Sequence, residues 1–168
     1  DRYGSDKPDL RFGLPIVELT QALASCGFQV FRQVIGRGGV VRAINIPGGA
    51  SMTRSEIEAL TEKAQTYGAG GMAWIALREN GEPYSVLTKY FSDDDMQKIL
   101  SRTEARPGDF ILFCADRLAV VRNVLGRLRL DIADMRALRR ADDFRFLLVT
   151  EFPEFEYSEE EGRYLATH

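Results

Sequence analysis

Residues 53–67 of the chain are Thr-Arg-Ser-Glu-Ile-Glu-Ala-Leu-Thr-Glu-Lys-Ala-Gln-Thr-Tyr, and they predict a well-delimited α-helix. Thr53 is a typical N-cap residue, and Glu56 three positions later completes a capping box. Met52 and Ile57 have the spacing of a hydrophobic staple across the helix start. One apolar stripe, which we expect to face a core, is formed by Ile57, Leu60, Ala64 and Tyr67.

Two β-rich runs precede this helix and predict a hairpin. Phe28–Val34 and Val40–Ile46 are rich in β-branched and aromatic residues, and the glycine cluster 36–39 joins them. A phosphate-binding loop would need a helix directly after the glycines and usually a Lys-Ser/Thr pair. We therefore interpret the glycines as turn residues with positive φ. Further upstream, the helical spacing of apolar residues predicts a helix over Leu14–Cys26.

The same order of elements follows the central helix. Met72–Leu77 and Tyr84–Phe91 predict a second hairpin, with Trp74 and Tyr84 expected in the core. Ser92 is the expected N-cap of a second helix with three aspartates in its first turn. Strand, strand, helix, repeated once, predicts an α/β (α+β) fold. Its expected form is a two-layer sandwich, in which one antiparallel sheet carries both helices on one face.

The part of the chain after this repeat predicts further buried elements. Phe110–Cys114 is a short, continuous apolar run, which is typical of a strand buried on both faces. A helix is predicted over Leu118–Leu128, and Phe144–Thr150 predicts another buried strand. The pattern leaves open whether these two strands extend the small sheet or form a separate stem.

The composition excludes several classes of protein. The net charge of −3 over 168 residues gives no global argument for nucleic-acid binding. No apolar run approaches the roughly 20 residues that a membrane helix needs. Cys26 and Cys114 lie in apolar contexts without a CxxC pattern, which predicts two buried free thiols and favours a reducing cytoplasm.

Few residues suggest catalysis or metal binding. The single histidine, His168, is the last residue, so no catalytic site and no metal site are predicted around it. The glutamates of residues 151–161 are interpreted as a solvated loop rather than a Mg²⁺ site.

Residues 117–140 form the one stretch suited to phosphate contacts, with a local excess of five positive charges. A solvated helix face is the alternative interpretation. The candidate arginines are Arg117, Arg122, Arg127, Arg129, Arg136, Arg139 and Arg140.

The chain also carries strings that resemble a known family. YGSDKPDLRFG at residues 3–13 resembles the segment by which bacterial-type aspartyl-tRNA synthetases leave their catalytic domain, and FPEFEYSEEEGRYLATH at 152–168 resembles the segment that returns to it. The glycine-rich motifs at 46–51, 67–71 and 107–109 resemble the insertion (GAD) domain of those enzymes. The resemblance covers essentially the whole chain.

The resemblance implies a division of the chain and a fold. Residues 1–13 would form a seam with the catalytic domain, residues 14–150 the GAD insertion domain, and residues 151–168 the return segment. The implied fold is DCoH-like. The implied parent is a class II aspartate–tRNA ligase that attaches aspartate to tRNA in protein synthesis, with the insertion positioning the acceptor arm or acting as a structural module.

The resemblance also implies partners and site residues. The parent would be a cytoplasmic homodimer that uses ATP and Mg²⁺ and binds tRNA-Asp, with no membrane or DNA partner. His168 would be an amino-acid-binding residue of the parent, and the seven arginines listed above would face tRNA. The ATP-binding arginine motifs of class II synthetases are not recognisable here, so we expect this chain alone to be inactive and to need no cofactor.

A second interpretation belongs to another class of protein. The chain could be a free-standing interaction module, like the related domain in the B subunit of the glutamyl/aspartyl-tRNA amidotransferase. Such a module has no need of the string at residues 3–13, so the synthetase interpretation is preferred.

Overall fold

A five-stranded antiparallel sheet organises the computed structural model, which describes residues 2–148, 150, 154–158 and 160–166. The strands lie in the order β1-β2-β5-β3-β4, and each neighbouring pair is antiparallel. Their bounds are β1 (Ile16–Glu18), β2 (Val40–Ile46), β3 (Ala73–Leu77), β4 (Pro83–Tyr84) and β5 (Phe110–Asp116).

The described residues also contain four α-helices, two short 3₁₀ turns and a separate hairpin. The helices are α1 (Gln29–Gly36), α2 (Arg54–Thr66), α3 (Asp93–Thr103) and α4 (Leu118–Met135). The 3₁₀ turns are Gly49–Ser51 and Thr88–Tyr90, and the hairpin pairs β6 (Phe155–Ser158) with β7 (Arg163–Ala166). None of the described helices is long and apolar enough to cross a membrane.

The central strand of the sheet is β5, which confirms that its apolar run is buried on both faces. Phe110 and Leu112 point to one hydrophobic cluster, whereas Ile111 and Phe113 point to the other. All four side chains are fully buried. Because β5 pairs with both β2 and β3, this strand belongs to the main sheet rather than to a separate stem.

Helices cover both faces of the sheet. Helices α2 and α4 contribute to the first cluster, through residues such as Leu60 and Leu125, and α1 and α3 contribute to the second through Phe31 and Ile99. The mixed α/β fold with an antiparallel sheet is therefore confirmed, but the arrangement has three layers instead of two. A single layer of helices would leave Ile75 and the other second-face side chains of the central strands in water.

The segment predicted as the helix Leu14–Cys26 instead forms β1 and a series of turns. Its apolar residues are buried as expected, but Ile16 faces the first cluster while Leu19, Leu23 and Cys26 face the second. One helix cannot deliver side chains to opposite faces of a sheet. These apolar residues recur at helical spacing because the chain passes from one face of the sheet to the other at the sheet edge, and not because they form a helix.

The predicted strand Phe28–Val34 is also wrong, because this segment is helix α1. Phe28, Phe31 and Ile35 pack on the second cluster at spacings of three and four residues, a helical pattern. Packing against the sheet overrides the β propensity of the run. The glycine cluster consequently joins a helix to β2 rather than two strands, with Gly38 at φ +81.

Both predicted helix caps are confirmed. The Glu56 amide donates to Thr53 Oγ1 at 3.3 Å, and the Thr53 amide donates to Glu56 Oε2 at 2.7 Å. Ser92 and Asp95 form the equivalent pair of hydrogen bonds at the start of α3, each at 3.1 Å. Met52, the proposed staple residue, is buried in the first cluster.

The second predicted hairpin is shorter than expected. Strand β4 pairs only through Pro83 and Tyr84, and the chain then turns into the 3₁₀ segment, so the predicted strand Tyr84–Phe91 is wrong beyond its first residue. Ser85 Oγ donates to the Trp74 carbonyl at 2.6 Å and ends the pairing. Trp74 stacks on Phe110 as a core residue, whereas the prediction of a buried Tyr84 is wrong because 55% of it is exposed.

The predicted buried strand Phe144–Thr150 is not found. Among the described residues of this range there is no strand, and Phe144 and Phe146 are 77% and 94% exposed. The main sheet consists of β1 to β5, so no described residue of this segment belongs to it.

We predict that Thr53→Ala lowers the free energy of unfolding by about 1 kcal/mol, because it removes the cap of α2. Urea titration followed by circular dichroism measures the loss. Thr53→Ser is the matched control, since it keeps a hydroxyl acceptor and should change stability by only a few tenths of a kcal/mol. Equal stability of the alanine variant and the unsubstituted chain would contradict a structural role for the capping box.

Candidate functional site

Arg129 on α4 is a fully buried cation that holds the N-terminal segment, which we define as residues 2–15. Its guanidinium donates to the carbonyl oxygens of four residues of this segment. Nε lies 3.1 Å from Leu14 O and 3.2 Å from Gly13 O. Nη2 lies 2.7 Å from Asp9 O, 3.1 Å from Phe12 O and 2.9 Å from Gly13 O. A curved stretch of backbone is thus wrapped around one side chain.

Aromatic rings complete the Arg129 environment. The guanidinium carbon lies 4.3 Å from the ring centroid of Tyr3 and 4.1 Å from that of Phe12. Burial lowers the pKa of Arg129, while the nearby Tyr3 and Asp9 act in the opposite direction. Because a free guanidinium titrates above pH 12, the side chain stays protonated and keeps all its donors at neutral pH.

The start of the N-terminal segment also touches the backbone of α4. A Cβ atom on Gly4 would lie 2.6 Å from Arg122 O and 2.8 Å from Gly126 Cα. Gly4 itself has φ +76, a conformation that favours glycine. Nearby, the Ile16 amide donates to Arg2 O at 2.8 Å, which ties the segment to the edge strand β1. The docking therefore depends on backbone approaches that side chains would block.

An ion-pair network around Asp9 and Arg11 connects the C-terminal half of the N-terminal segment to Arg139. Asp9 accepts from Arg11 Nε at 3.0 Å and from Arg11 Nη2 at 2.8 Å. Arg139 Nη1 approaches the same carboxylate at 3.5 Å and also pairs with Asp134. The Arg11 guanidinium in particular holds the pKa of Asp9 well below its usual range. The positive charge of Arg139 is thus offset by two carboxylates.

The seven candidate arginines consequently do not form one surface. Arg129 is 1% exposed, so its prediction as a tRNA-facing residue is wrong: a phosphate cannot reach its guanidinium. Arg136 donates to the Pro47 carbonyl at 3.2 Å, and Arg140 forms an exposed pair with Asp142 at 2.8 Å. Arg122 is half-buried where the N-terminal segment crosses α4.

Arg117 and Arg127 are the exposed cations of α4 itself. Arg117 is the N-cap position of the helix, and Arg127 lies over the ring of Tyr67 at 5.2 Å. One helical turn after Arg127, Asp131 accepts from Lys63 at 2.7 Å and from Tyr67 at 2.8 Å. The negative charge of Asp131 is therefore engaged by α2, and the two arginines remain directed to solvent.

The role of Arg129 was missed by the sequence analysis, although a signal was present. Leu125, Leu128 and Ile132 surround position 129 at helical spacing, and all three are fully buried. An arginine inside an apolar stripe must be hydrogen-bonded if the stripe is a core face. The local charge count treated it as one of seven equivalent cations.

Other predicted site residues divide into two groups. His168, Glu151 and Glu159 lie outside the described residues. Within them, no group of three or more His, Cys, Asp or Glu side chains is placed to hold a metal ion. Cys26 and Cys114 are buried free thiols, as predicted, and burial raises the pKa of Cys114 to about 12. A thiol with so high a pKa is a poor nucleophile at neutral pH.

Comparison with known proteins identifies the family. A model described as the GAD domain matches residues 31–125, which is more than half of the chain. The chain belongs to the GAD domain family. The matched range runs from α1 into the first half of α4, so it contains the central strand β5 together with β2, β3 and β4.

The whole of this GAD-domain chain is similar to longer proteins. It is 48% identical over 168 residues to an aspartate–tRNA ligase of Ruminiclostridium cellulolyticum, with 100% of the chain aligned. It is 49% identical over 166 residues to an aspartate–tRNA(Asp/Asn) ligase of Syntrophomonas wolfei, and 45% identical over 168 residues to one of Anoxybacillus flavithermus, with 99% aligned in each. The chain spans 28% of the length of these relatives.

We predict that Arg129→Met destabilises the chain by about 3 kcal/mol, because the carbonyls that it binds lose charge-assisted hydrogen bonds in a buried site. Urea unfolding measures the loss. Arg127→Met is the matched control on the same helix. It removes an exposed cation over a ring and should cost below about 1 kcal/mol. Similar losses in the two variants would show that the Arg129 hydrogen bonds do not hold the N-terminal segment.

Proposed function

We propose that this chain is the GAD-domain part of an aspartate–tRNA ligase that attaches aspartate to tRNA in protein synthesis. The supporting observation is that the similarity to the ligases extends over residues 1–30 and 126–168, beyond the range of the GAD-domain model. These flanks include the N-terminal segment and the half of α4 that carries Arg129. A free-standing module of the amidotransferase type would not require similarity to ligases in these flanks.

In this proposal the chain supplies no catalytic group. Adenylate formation needs ATP and Mg²⁺, and the described residues do not fit a metal site. Both would be bound by other parts of the longer protein. His168 would join the amino-acid-binding site there, consistent with the resemblance of residues 152–168 to the return segment. The longer protein would be a cytoplasmic homodimer with no membrane or DNA partner.

We predict that the purified chain shows no aspartate-dependent exchange of pyrophosphate into ATP, because it lacks recognisable ATP-binding arginine motifs. The measurement is the exchange of labelled pyrophosphate with and without aspartate. Exchange that requires aspartate and persists through purification would contradict the proposal that other parts of the longer protein bind ATP.

For the division of the chain we propose the one that the resemblance implies. Residues 1–13 would be the seam, 14–150 the GAD domain and 151–168 the return segment. Arg129 and the Gly4–Gly126 approach would fix how the seam leaves the domain. The exposed apolar residues Phe144, Phe146 and Leu148 would pack against the rest of the ligase, since a monomer rarely leaves so many apolar side chains in water.

The domain would contact the acceptor arm of tRNA through exposed arginines of α4. Arg117 and Arg127 lack a carboxylate partner among the described residues and would be the first phosphate contacts. Arg122, Arg136, Arg139 and Arg140 would contribute less, because each has protein contacts to give up or is partly covered. With a net charge of −3, the chain alone should bind tRNA weakly at physiological salt.

We predict that Arg117→Gln/Arg127→Gln flattens the dependence of log Kobs for tRNA-Asp on log salt concentration by roughly 1.4–1.8. The reason is that each lost phosphate contact removes about 0.7–0.9 from the slope. A filter-binding series from low to physiological salt measures it.

The matched control is Arg54→Gln/Arg78→Gln, which removes the same charge from exposed arginines that are paired with Glu58 and Glu82 and are not on α4. Equal slopes in the two double variants would mean that only overall charge matters. The GAD domain would then be a structural spacer rather than a tRNA contact.

A further inference from the structure

An apolar groove lies between α1 and the free end of β3, and we name it the α1–β3 groove. Its volume is about 500 Å³. Phe28, Phe31 and Val34 of α1 form one wall, and Gly71 and Ala73 form the other. Met72 and Trp74, whose side chains pack on the first cluster, lie at the edge of the groove. At the rim, Val30 and Val86 are 52% and 77% exposed. This is an exposed apolar surface without a partner among the described residues, and it adjoins the α4 arginines only at its Asp116 end, next to Arg117.

The backbone beside the groove has unused hydrogen-bonding groups. β4 pairs with β3 only at Ala76 and Leu77, which leaves the first half of β3 as an open edge. Within the described residues, no hydrogen bond joins the backbone of Gly70, Gly71 or Met72 to another group. Because the Trp74 carbonyl faces the β4 side, where it accepts from Ser85, the backbone of Met72 faces the same open side. An open edge of this kind can accept another strand.

Two glycines at this edge have no internal explanation. Gly70 and Gly71 have no positive φ, and a Cβ atom added to either would meet nothing within 4 Å. Neither backbone conformation nor packing within the described chain therefore requires glycine at these positions. Glycine at a strand end also permits close approach by a second backbone. By strand alternation a side chain at position 71 would lie on the same face as Ala73 and Ile75, toward α1, so the open space at Gly71 is part of the groove.

The groove contains one ionisable side chain, Asp116, at the end of β5. Its Oδ1 accepts from the Arg117 amide at 2.6 Å. No other ionisable side chain lines the groove, so the Asp116 carboxylate favours an occupant with a cation at that end.

We propose that the α1–β3 groove binds an extended peptide segment of a partner protein, which adds as a strand to the open edge at residues 70–72. Apolar side chains of the segment fill the groove between Phe31 of α1 and residues 71–73, and a lysine or arginine pairs with Asp116. Main-chain hydrogen bonds provide affinity, and the groove and Asp116 select the sequence. This inference does not depend on the proposed ligase function.

Trp74 is the single tryptophan of the chain and reports directly on the groove. The probe is the blocked peptide acetyl-Ser-Val-Leu-Lys-Val-Ser-amide, titrated against the chain while Trp74 emission is recorded. We expect a saturable change. Replacing the peptide lysine with glutamate should weaken binding about threefold or more, which is the range of an exposed ion pair. N-methylation of the adjacent valine and leucine should weaken it about fivefold or more, since one of the two N–H groups must face the edge.

Two valine variants test the place of binding. Gly71→Val should abolish the response, because the valine side chain fills the groove on the α1 face. Gly36→Val is the matched control, since Gly36 also has no positive φ and no neighbour within 4 Å but does not line the groove. Circular dichroism confirms that both variants fold.

Three results would overturn the proposal: no emission change at millimolar peptide, equal binding by the lysine and glutamate peptides, or full binding by the N-methylated peptide. The last result would identify a pocket for apolar groups rather than a strand edge.

Discussion

The buried guanidinium of Arg129 is the interaction on which the N-terminal part of the structure depends. Residues 9–14 have no strand partner for their carbonyls, and four of those carbonyls converge on one side chain. A buried cation is tolerated only when its donors are satisfied. The segment and the helix therefore stabilise each other, because the carbonyls need the donors as much as the guanidinium needs the acceptors.

The central strand β5 imposes a second constraint, since both of its faces are apolar. Two layers of helices must cover the sheet, and each face receives a pair of them. The pair α2 and α4 forms the face on which the N-terminal segment docks, through α4. The pair α1 and α3 forms the other face, and α1 also lines the α1–β3 groove. The proposed RNA contacts thus lie on the α4 layer and the proposed peptide groove beside α1, and the two adjoin where Arg117 follows Asp116.

The success of sequence-based prediction varied with the kind of signal. The caps at Thr53 and Ser92 were predicted correctly because a cap is a local arrangement of side chain and backbone within four residues. The helix at Leu14–Cys26 and the strand at Phe28–Val34 were wrong because apolar spacing records which residues are buried without recording the face. In both segments the residues predicted to be buried do lie in the core, but the secondary structure that places them there differs from the prediction.

The sequence alone determined the caps, the buried central strand, the two buried thiols and the likeness to aspartyl-tRNA synthetases, which the GAD-domain match and the ligase relatives support. Each of these rests on neighbouring residues or on a contiguous string. Only the tertiary structure separated Arg129 from Arg117 and Arg127, although all three contribute equally to the charge of the segment. The physical reason is that charge is a property of composition, whereas access to a phosphate depends on what packs around each side chain. For Arg129 that packing comes from carbonyls more than 110 residues away in the chain.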